Sequence, residues 1–378
     1  MRDFCGTVLL EKKFFITEEQ AVTPAEILMG AFTDADKIYI NGICCGSSYD
    51  RYASRIYPVA PGILRAGENV VCIHLYVFRG RGGAMPGKQY GIRFKKGKER
   101  WLDLSGTWDA QIRKQMEYLP EKTFFNYMAS AMFNGMISPV SPYKICAVIY
   151  YQGESDVGHP NRYALEFRAL VNDWRKSWKE KQLPIIYVQL AGFSDGNIKK
   201  QGTQWAEFRK VQRQAMEIEN TAMIQAYDVG EYNDLHPMDK KTLGMRAALA
   251  VHKLVYGEKE ECTGPQVRKI RLDRDKRVYA VFDQPLQTGS KKDGCELVSE
   301  VELRKANGDY KRAYVTVDGN EICAWLSDGE EPTGIRYAWK DCPMNICLYG
   351  KRGLPVIPFI KEWGRDAIYT GKICETDR

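Results

Sequence analysis

At 378 residues the chain is long for a single hydrophobic core, and length alone predicts about two to three domains. Hydrophobic residues make up 44% and aromatic residues 12%, which suits a folded globular protein. The net charge of +7 is spread along the chain without a basic arm, so nucleic acid is not expected as a partner. No apolar run approaches the roughly 18 residues that a membrane span needs. The N-terminal stretch "MRDFCGTVLLEKKFF" is too short and too charged in its apolar part for a signal peptide. Eleven cysteines are scattered apart from the Cys44–Cys45 pair, with no CxxC and no Cys/His cluster at zinc spacing. Neither a metal site, a disulfide framework nor a cofactor is therefore expected.

Residues 1–105 read as short strands, "GTVLLEKKFFI", "DKIYING" and "ENVVCIHLYVF", separated by the turn signals "NG", "PG" and "GGAMPG". Their alternation predicts a β-sandwich, with "TPAEILMGAF" the one helical pattern. The next forty or so residues, through "SGTWDAQIRK" and "YLPEKTFFNYMASAMFNGMISPV", read as a connector. At Ile145 the period changes. "ICAVIYY" is a continuous apolar strand of the kind buried on both faces of a parallel sheet. Tyr163, Phe167, Leu170, Val171, Trp174 and Trp178 then fall on one helical stripe. "LPIIYVQLA" and "TAMIQAY" are further strands, while "QWAEFRKVQRQAMEI" and "KKTLGMRAALAVHKLVYG" are helices. Three strand–helix units in a row predict an α/β layer, a doubly wound parallel sheet, over residues 106–258. From 259 to 378, "VRKIRL", "RVYAVFD" and "EICAWLSDG" return to short strands and predict a second β-sandwich.

Open parallel sheets bind ligands beyond the carboxyl ends of their strands. Two such ends are polar here: "QGESD" after the strand at 145–151, and "DVGEYNDLHP" after the strand at 221–227. The second contains His236, one of four histidines, with Asp234 two residues before it and Asp228 and Glu231 close by. A histidine held near a carboxylate is the base half of a nucleophilic hydrolase, because the acid fixes its tautomer and stabilises the imidazolium. The plainer alternative is a helix cap, with Asp239 or Asp234 capping the last helix and Ser155 with Asp156 starting another. A second polar strand end on the same sheet edge shifts weight towards catalysis. Neither "GESDV" nor "CCGSSYD" forms a G-x-S-x-G elbow, and His74, His159 and His252 read as structural. The strand ends at 151 and 227 are expected to lie side by side, bringing Gln152 and His236 into one pocket.

Together, "YYQGESD", the helical stripe, "LPIIYVQLAGF" and "DVGEYNDLHPMDKKTLGMRAALAVHKLVYG" closely resemble the sialate O-acetylesterase family of carbohydrate esterases, which are SGNH-type hydrolases. The likeness extends to "FNGMISPVSPY", "GPQVRKIRL", "GIRYAWKD" and "GLPVIPF". In the first domain, "DADKIYING" and "LRAGENVVCIHLYV" look like the galactose-binding-type jelly roll of that family. The resemblance implies an SGNH-like core flanked by an N-terminal jelly roll and a C-terminal β domain, acting without metal on an acetylated sugar substrate. The implied reaction removes O-acetyl groups from sialic acid or related sugars through an acyl-enzyme, in a secreted or periplasmic setting. His236 would be the general base and Asp234 its orienting acid. Asp228 is the reserve, since the wider SGNH pattern places the acid three residues before the histidine, where this chain has Asn233. Gln152 and Gly153 would bind the oxyanion, and Glu154 would anchor the loop. One departure stands out: the family's serine lies in a "GQSNM"-like block ahead of the jelly roll, and no such block occurs here. The nucleophile segment, with at least one strand of the sheet, is expected to be missing, leaving this chain alone inactive. Two other readings stay open. One is a sugar-binding protein with a dead hydrolase core. The other is a glycosidase pairing Glu154 with Asp228 or Asp234, although three strand–helix units fall far short of a barrel's eight.

Overall fold

A computed structural model describes residues 2–50, 53–86, 88–97, 100–120, 123–125, 128–194, 201–231, 234–259, 261–288, 300–363 and 374–375. The chain forms two compact units, Met1–Phe124 and Phe125–Arg378. Among the described residues no helix is long and apolar enough to cross a membrane.

The first unit consists chiefly of two antiparallel sheets. One orders its strands as Asp109–Gln115, Arg2–Ile16, Gly67–Arg81, Ala35–Ile40 and Ile43–Ser48. The other runs Trp101–Asp103, Tyr90–Phe94, Ala25–Met29 and Ile56–Val59. Alternate residues of both, among them Val8, Ile38, Val71 and Ile73 from one and Ile27, Met29, Ile92 and Phe94 from the other, meet in a single core. Two sequence expectations change here. "TPAEILMGAF" is not helical: Ala25–Met29 pairs with Tyr90–Phe94 on one side and Ile56–Val59 on the other. A segment this short, apolar except for Glu26, satisfies either period, and strand partners on both sides decide it. Nor does the unit end at 105, because Asp109–Gln115, placed in the connector by the sequence, pairs with the first strand.

The second unit contains a parallel sheet of three core strands: Val148–Tyr150 first, Ile185–Gln189 in the middle and Thr221–Gln225 third. On one face lie the helices Pro160–Ser177 and Gln204–Gln214, whose Tyr163, Phe167, Val171 and Phe208 pack on Ile185 and Tyr187. On the other lies Lys240–Tyr256, which packs Leu243, Ala247 and Ala250 on Ile186, Val188, Ala222 and Ile224. Asp239 caps that helix by accepting from the Thr242 N–H at 2.9 Å, and Gly257, at φ 72°, ends it in the left-handed region. Helices on both faces match the expected doubly wound layer.

The first core strand departs from expectation. Ile149 stands in register with Ile186, so both point to the Lys240–Tyr256 face. Ile186 is fully buried, whereas Ile149 is 57% exposed. The helix covers the middle and third strands and leaves the first bare. Among the described residues this strand also pairs on one side only. Met132, Phe133, Met136, Val140 and Tyr143, which precede it, are exposed too.

Residues beyond the last helix form a five-stranded sheet built on Val267–Leu272 and Val278–Phe282, and a four-stranded sheet built on Val301–Arg304 and Gly334–Tyr337. They interlock with the α/β layer instead of forming a body apart from it near residue 259. Tyr227 lies in the apolar cluster of the C-terminal strands, and Ile357 lies in that of the layer. Gln225 Nε2 donates to the Pro355 carbonyl at 2.9 Å, and the Tyr227 hydroxyl donates to that of Val356. Arg209, fully buried, donates from Nη1 to the carbonyls of Ala191 at 3.4 Å and Asp341 at 3.2 Å, and from Nη2 to that of Lys340. Burial pulls its guanidinium down to about 10, which leaves it charged at neutral pH.

Replacing Arg209 by Met would orphan buried carbonyls as well as remove their donor. The expected loss is about 2–4 kcal/mol. It should appear as a lower urea midpoint for the unit that holds every tryptophan except Trp101 and Trp108.

Candidate active site

Because the core strands are parallel, both polar strand ends open on the same, carboxyl edge of the sheet. They are not neighbours, however. The middle strand separates them, which sets the first and third strands about 10 Å apart. What closes the gap is the segment after the third strand. It returns far enough for Lys240 Nζ to lie 5.3 Å from the ring centre of Tyr151, the residue before Gln152. The loops after the middle and third strands also touch. A Cβ on Gly230 would come within 2.6 Å of the Gly192 carbonyl oxygen, so the approach requires glycine there.

The loop beginning at Gln152 is tied down by its own side chains. Tyr150 donates its hydroxyl to Gln152 Oε1 at 3.1 Å, and Gln152 Nε2 donates to Asp156 Oδ2 at 2.7 Å. Burial, with Asp156 and Glu154 adding to it, pushes the Tyr150 phenol up to about 12, which keeps it a neutral donor. The amide is thereby oriented, with one of its two N–H groups still open. Gly153 is buried at φ 145°, a conformation that side chains rarely adopt. A Cβ there would sit 2.8 Å from the Phe208 ring. Glu154 opens a short 3-10 turn, Glu154–Asp156, and has no hydrogen bond or ion pair among the described residues. The anchoring role expected of Glu154 is filled instead by Asp156. Ser155 is exposed.

In the second loop Asp234 is 3% exposed and accepts the backbone N–H of His236 on Oδ1 at 2.9 Å. Its Oδ2 is buried and has no hydrogen-bond partner among the described residues. An isolated bridge between Glu231 and Asp234 closes the turn, and the His236 side chain is exposed. Asn233, the position that the wider pattern would give to the acid, lies outside the described residues. Asp228 is differently employed. Both of its oxygens accept from Arg246, at 2.7 Å each, and the two side chains are 4% and 6% exposed. Burial works against the Arg246 charge, but the Asp228 bonds outweigh it and hold the guanidinium above its ordinary value. A third bond, from Arg246 Nη1 to the Gln225 carbonyl at 2.6 Å, ties the pair to the end of the third strand.

Sequence reasoning missed Asp156, Arg246 and the Lys240–Tyr151 contact. Arg246 did leave a trace: it interrupts the apolar spacing of Leu243, Ala247 and Ala250, and a cation inside such a stripe needs a buried partner. Among the described residues no group of three or more His, Cys, Asp or Glu side chains converges to hold a metal ion.

The family model for a carbohydrate esterase, sialic acid-specific acetylesterase, matches residues 110–253. The sialate O-acetylesterase of Mus musculus is 31% identical over 275 residues, covering 62% of this chain and 47% of the relative. That of Homo sapiens is 28% identical over 264 residues, covering 61% of this chain and 48% of its own. The chain thus spans about half the length of the curated relatives it matches. Among solved structures, a carbohydrate acetylesterase from Xanthomonas citri aligns at a TM-score of 0.55 and 29% identity, over 61% of this chain and 53% of that one. Family model, curated relatives and solved structure agree in kind: through residues 110–253 the chain is similar to the sialic acid-specific acetylesterases among the carbohydrate esterases.

Proposed function

We propose that this chain carries the base and the oxyanion site of a serine esterase that removes O-acetyl groups from sialic acid or related acetylated sugars. The observation that carries this reading is the division of labour within Asp234. One oxygen fixes the backbone of His236, and the other is buried without a donor among the described residues. An imidazole N–H is the group such an oxygen lacks. Asp228 has both oxygens committed to the buried Arg246, so neither lacks a donor. The same commitment tells against a glycosidase that pairs Glu154 with Asp228.

The chemistry follows the usual order of acyl transfer. A serine hydroxyl attacks the acetyl carbonyl carbon while His236 takes its proton. The open N–H of Gln152 and the backbone N–H of Gly153 receive the charge on the carbonyl oxygen. The sugar oxygen leaves with the proton from His236, and water then repeats the sequence to release acetate. Asp234 holds the imidazole in the tautomer that both steps use.

The attacking serine is placed on a segment outside these 378 residues, held against the bare first core strand. Two features support that placement. Among the described residues no serine hydroxyl is hydrogen-bonded to a histidine ring, and the first strand lacks both an edge partner and a cover over Ile149. On this reading the core is SGNH-like, and the first unit is a galactose-binding-type jelly roll that serves the sugar.

The test compares the chain alone with the chain joined to a segment carrying a "GQSNM"-type block, on aryl acetates and on O-acetylated sialic acid. The chain alone should turn over little or nothing, and the joined form should be active. In the joined form His236→Ala is expected to lower kcat by roughly 10⁴–10⁶ and Asp234→Asn by about 10²–10⁴. Asp228→Ala should instead announce itself as a stability loss of about 3–5 kcal/mol, because it strands a buried arginine. Strong turnover by the chain alone, blocked by a serine-directed phosphonate and abolished by Ser155→Ala, would overturn the placement of the nucleophile.

Gly153→Ala gives a second check in the same joined form. The strain and the Phe208 contact predict a loss of about 1–3 kcal/mol, together with a fall in kcat at nearly unchanged KM as the oxyanion site shifts. Wild-type kcat in a folded Gly153→Ala protein would remove Gly153 from the oxyanion site.

A further inference from the structure

A cavity of about 480 Å³ opens between the last turns of the helix Gln204–Gln214 and the strands Val267–Leu272 and Phe359–Glu362. That helix links the carboxyl end of the middle core strand to the amino end of the third, so it runs against the strands. Its last turn, and the cavity with it, lies towards the amino end of the sheet. The third strand alone puts roughly 13 Å between that end and the edge carrying Gln152 and His236.

The lining is built around Arg213. This half-buried guanidinium has one hydrogen bond among the described residues, from Nη2 to Gln266 Oε1 at 3.3 Å, which is a neutral amide. A guanidinium carries five N–H donors. A second arginine, Arg268, lines the same cavity and is paired with Asp283 at 2.8 Å. Burial, with the charge of Arg268 adding to it, holds Arg213 below the usual arginine value. Lys210 and Lys361 add two further cations against the single carboxylate of Glu217, while Trp339 and Phe359 give an apolar wall. A cation in the last helical turn complements the helix dipole. The dipole explains the charge of Arg213 but not its burial beside another arginine.

We propose that this cavity binds the carboxylate of a sugar acid, with Arg213 as the anchor. A planar guanidinium matches a carboxylate in bidentate fashion, and the amide of Gln266 suits a ring hydroxyl. The volume lies within the range of small-molecule sites. This site stands independently of the esterase reading, and its test measures binding, not turnover.

The 378-residue chain would be titrated calorimetrically with N-acetylneuraminate and with glucuronate. N-acetylmannosamine and glucose serve as neutral matches, and sulfate as a bare anion. Saturable binding of at least one sugar acid is expected, weakened roughly tenfold or more by Arg213→Gln. Arg213→Lys should retain part of it, Lys361→Gln should weaken it, and His236→Ala should leave it unchanged. If Arg213→Gln fails to fold, the other three variants carry the same comparison. Four results would overturn the site: no binding of either acid, equal binding of the neutral sugars, an adventitious ion only (sulfate as well as the acids), or binding lost in His236→Ala but kept in the Arg213 and Lys361 variants.

Discussion

The arrangement of the second unit depends on one helical face, that of Phe208, Arg209 and Gln212. All three are fully buried, and two of them are polar. Gln212 Oε1 accepts the Leu190 N–H at 2.9 Å, its Nε2 donates to the Val188 carbonyl, and its own carbonyl accepts the Tyr187 hydroxyl. Arg209 takes the next carbonyl along, that of Ala191, and joins it to Lys340 and Asp341 of the C-terminal segment. Phe208 fills the space that Gly153 leaves open. One helix therefore ends the middle strand, fixes the loop beyond it and shapes the floor under the "QGESD" turn. A buried polar network of this kind costs a great deal if any member is removed. That cost explains why the α/β layer and the C-terminal strands form one unit.

The two loops at the carboxyl edge show how position separates residues of the same type. Asp228 and Asp234 are six residues apart, both acidic and both almost fully buried. Asp228 meets a fixed cation and becomes a brace between the third strand and the last helix. Among the described residues Asp234 meets the backbone N–H of His236 alone, and its second oxygen has no partner. The brace restrains the start of the loop, Asp239 caps the helix at its end, and His236 lies between these two restraints with its ring exposed. The base proposed above would need a fixed backbone and an accessible ring to accept and return a proton, and this loop offers both.

Much of this was legible in the sequence. The stripe Tyr163, Phe167, Val171, Trp174 and Trp178, the strand "LPIIYVQLA" and the cap at Asp239 are local signals, each fixed by period or by side-chain chemistry. So were the two polar strand ends. The strand order was not legible, since nothing local states that Ile185–Gln189 lies between the other two. Ala25–Met29 was misread because its neighbours in the sheet come from residues 56–59 and 90–94. The different employment of Asp228 depends on Arg246, nearly two helix turns inside the next element. The cavity around Arg213 joins residues more than fifty positions apart, beyond the reach of any motif.

Ile149 brings the fold and the chemistry together. A strand of a parallel sheet normally has both faces covered, whereas the first core strand leaves Ile149 bare on one face and, like the third, is paired on one edge only among the described residues. Covering an isoleucine fully is worth about 1.5–3 kcal/mol, and pairing the edge would satisfy its open N–H and C=O groups. A loop could shield the face but could not complete the ladder. A further strand followed by a helix on the Lys240–Tyr256 side does both. The carboxyl end of such a strand would open beside Gln152, on the edge that carries His236. On the proposed reading, a nucleophile carried at that carboxyl end would stand on the same edge as its base, so the demand of the fold and the demand of the chemistry would meet at one place.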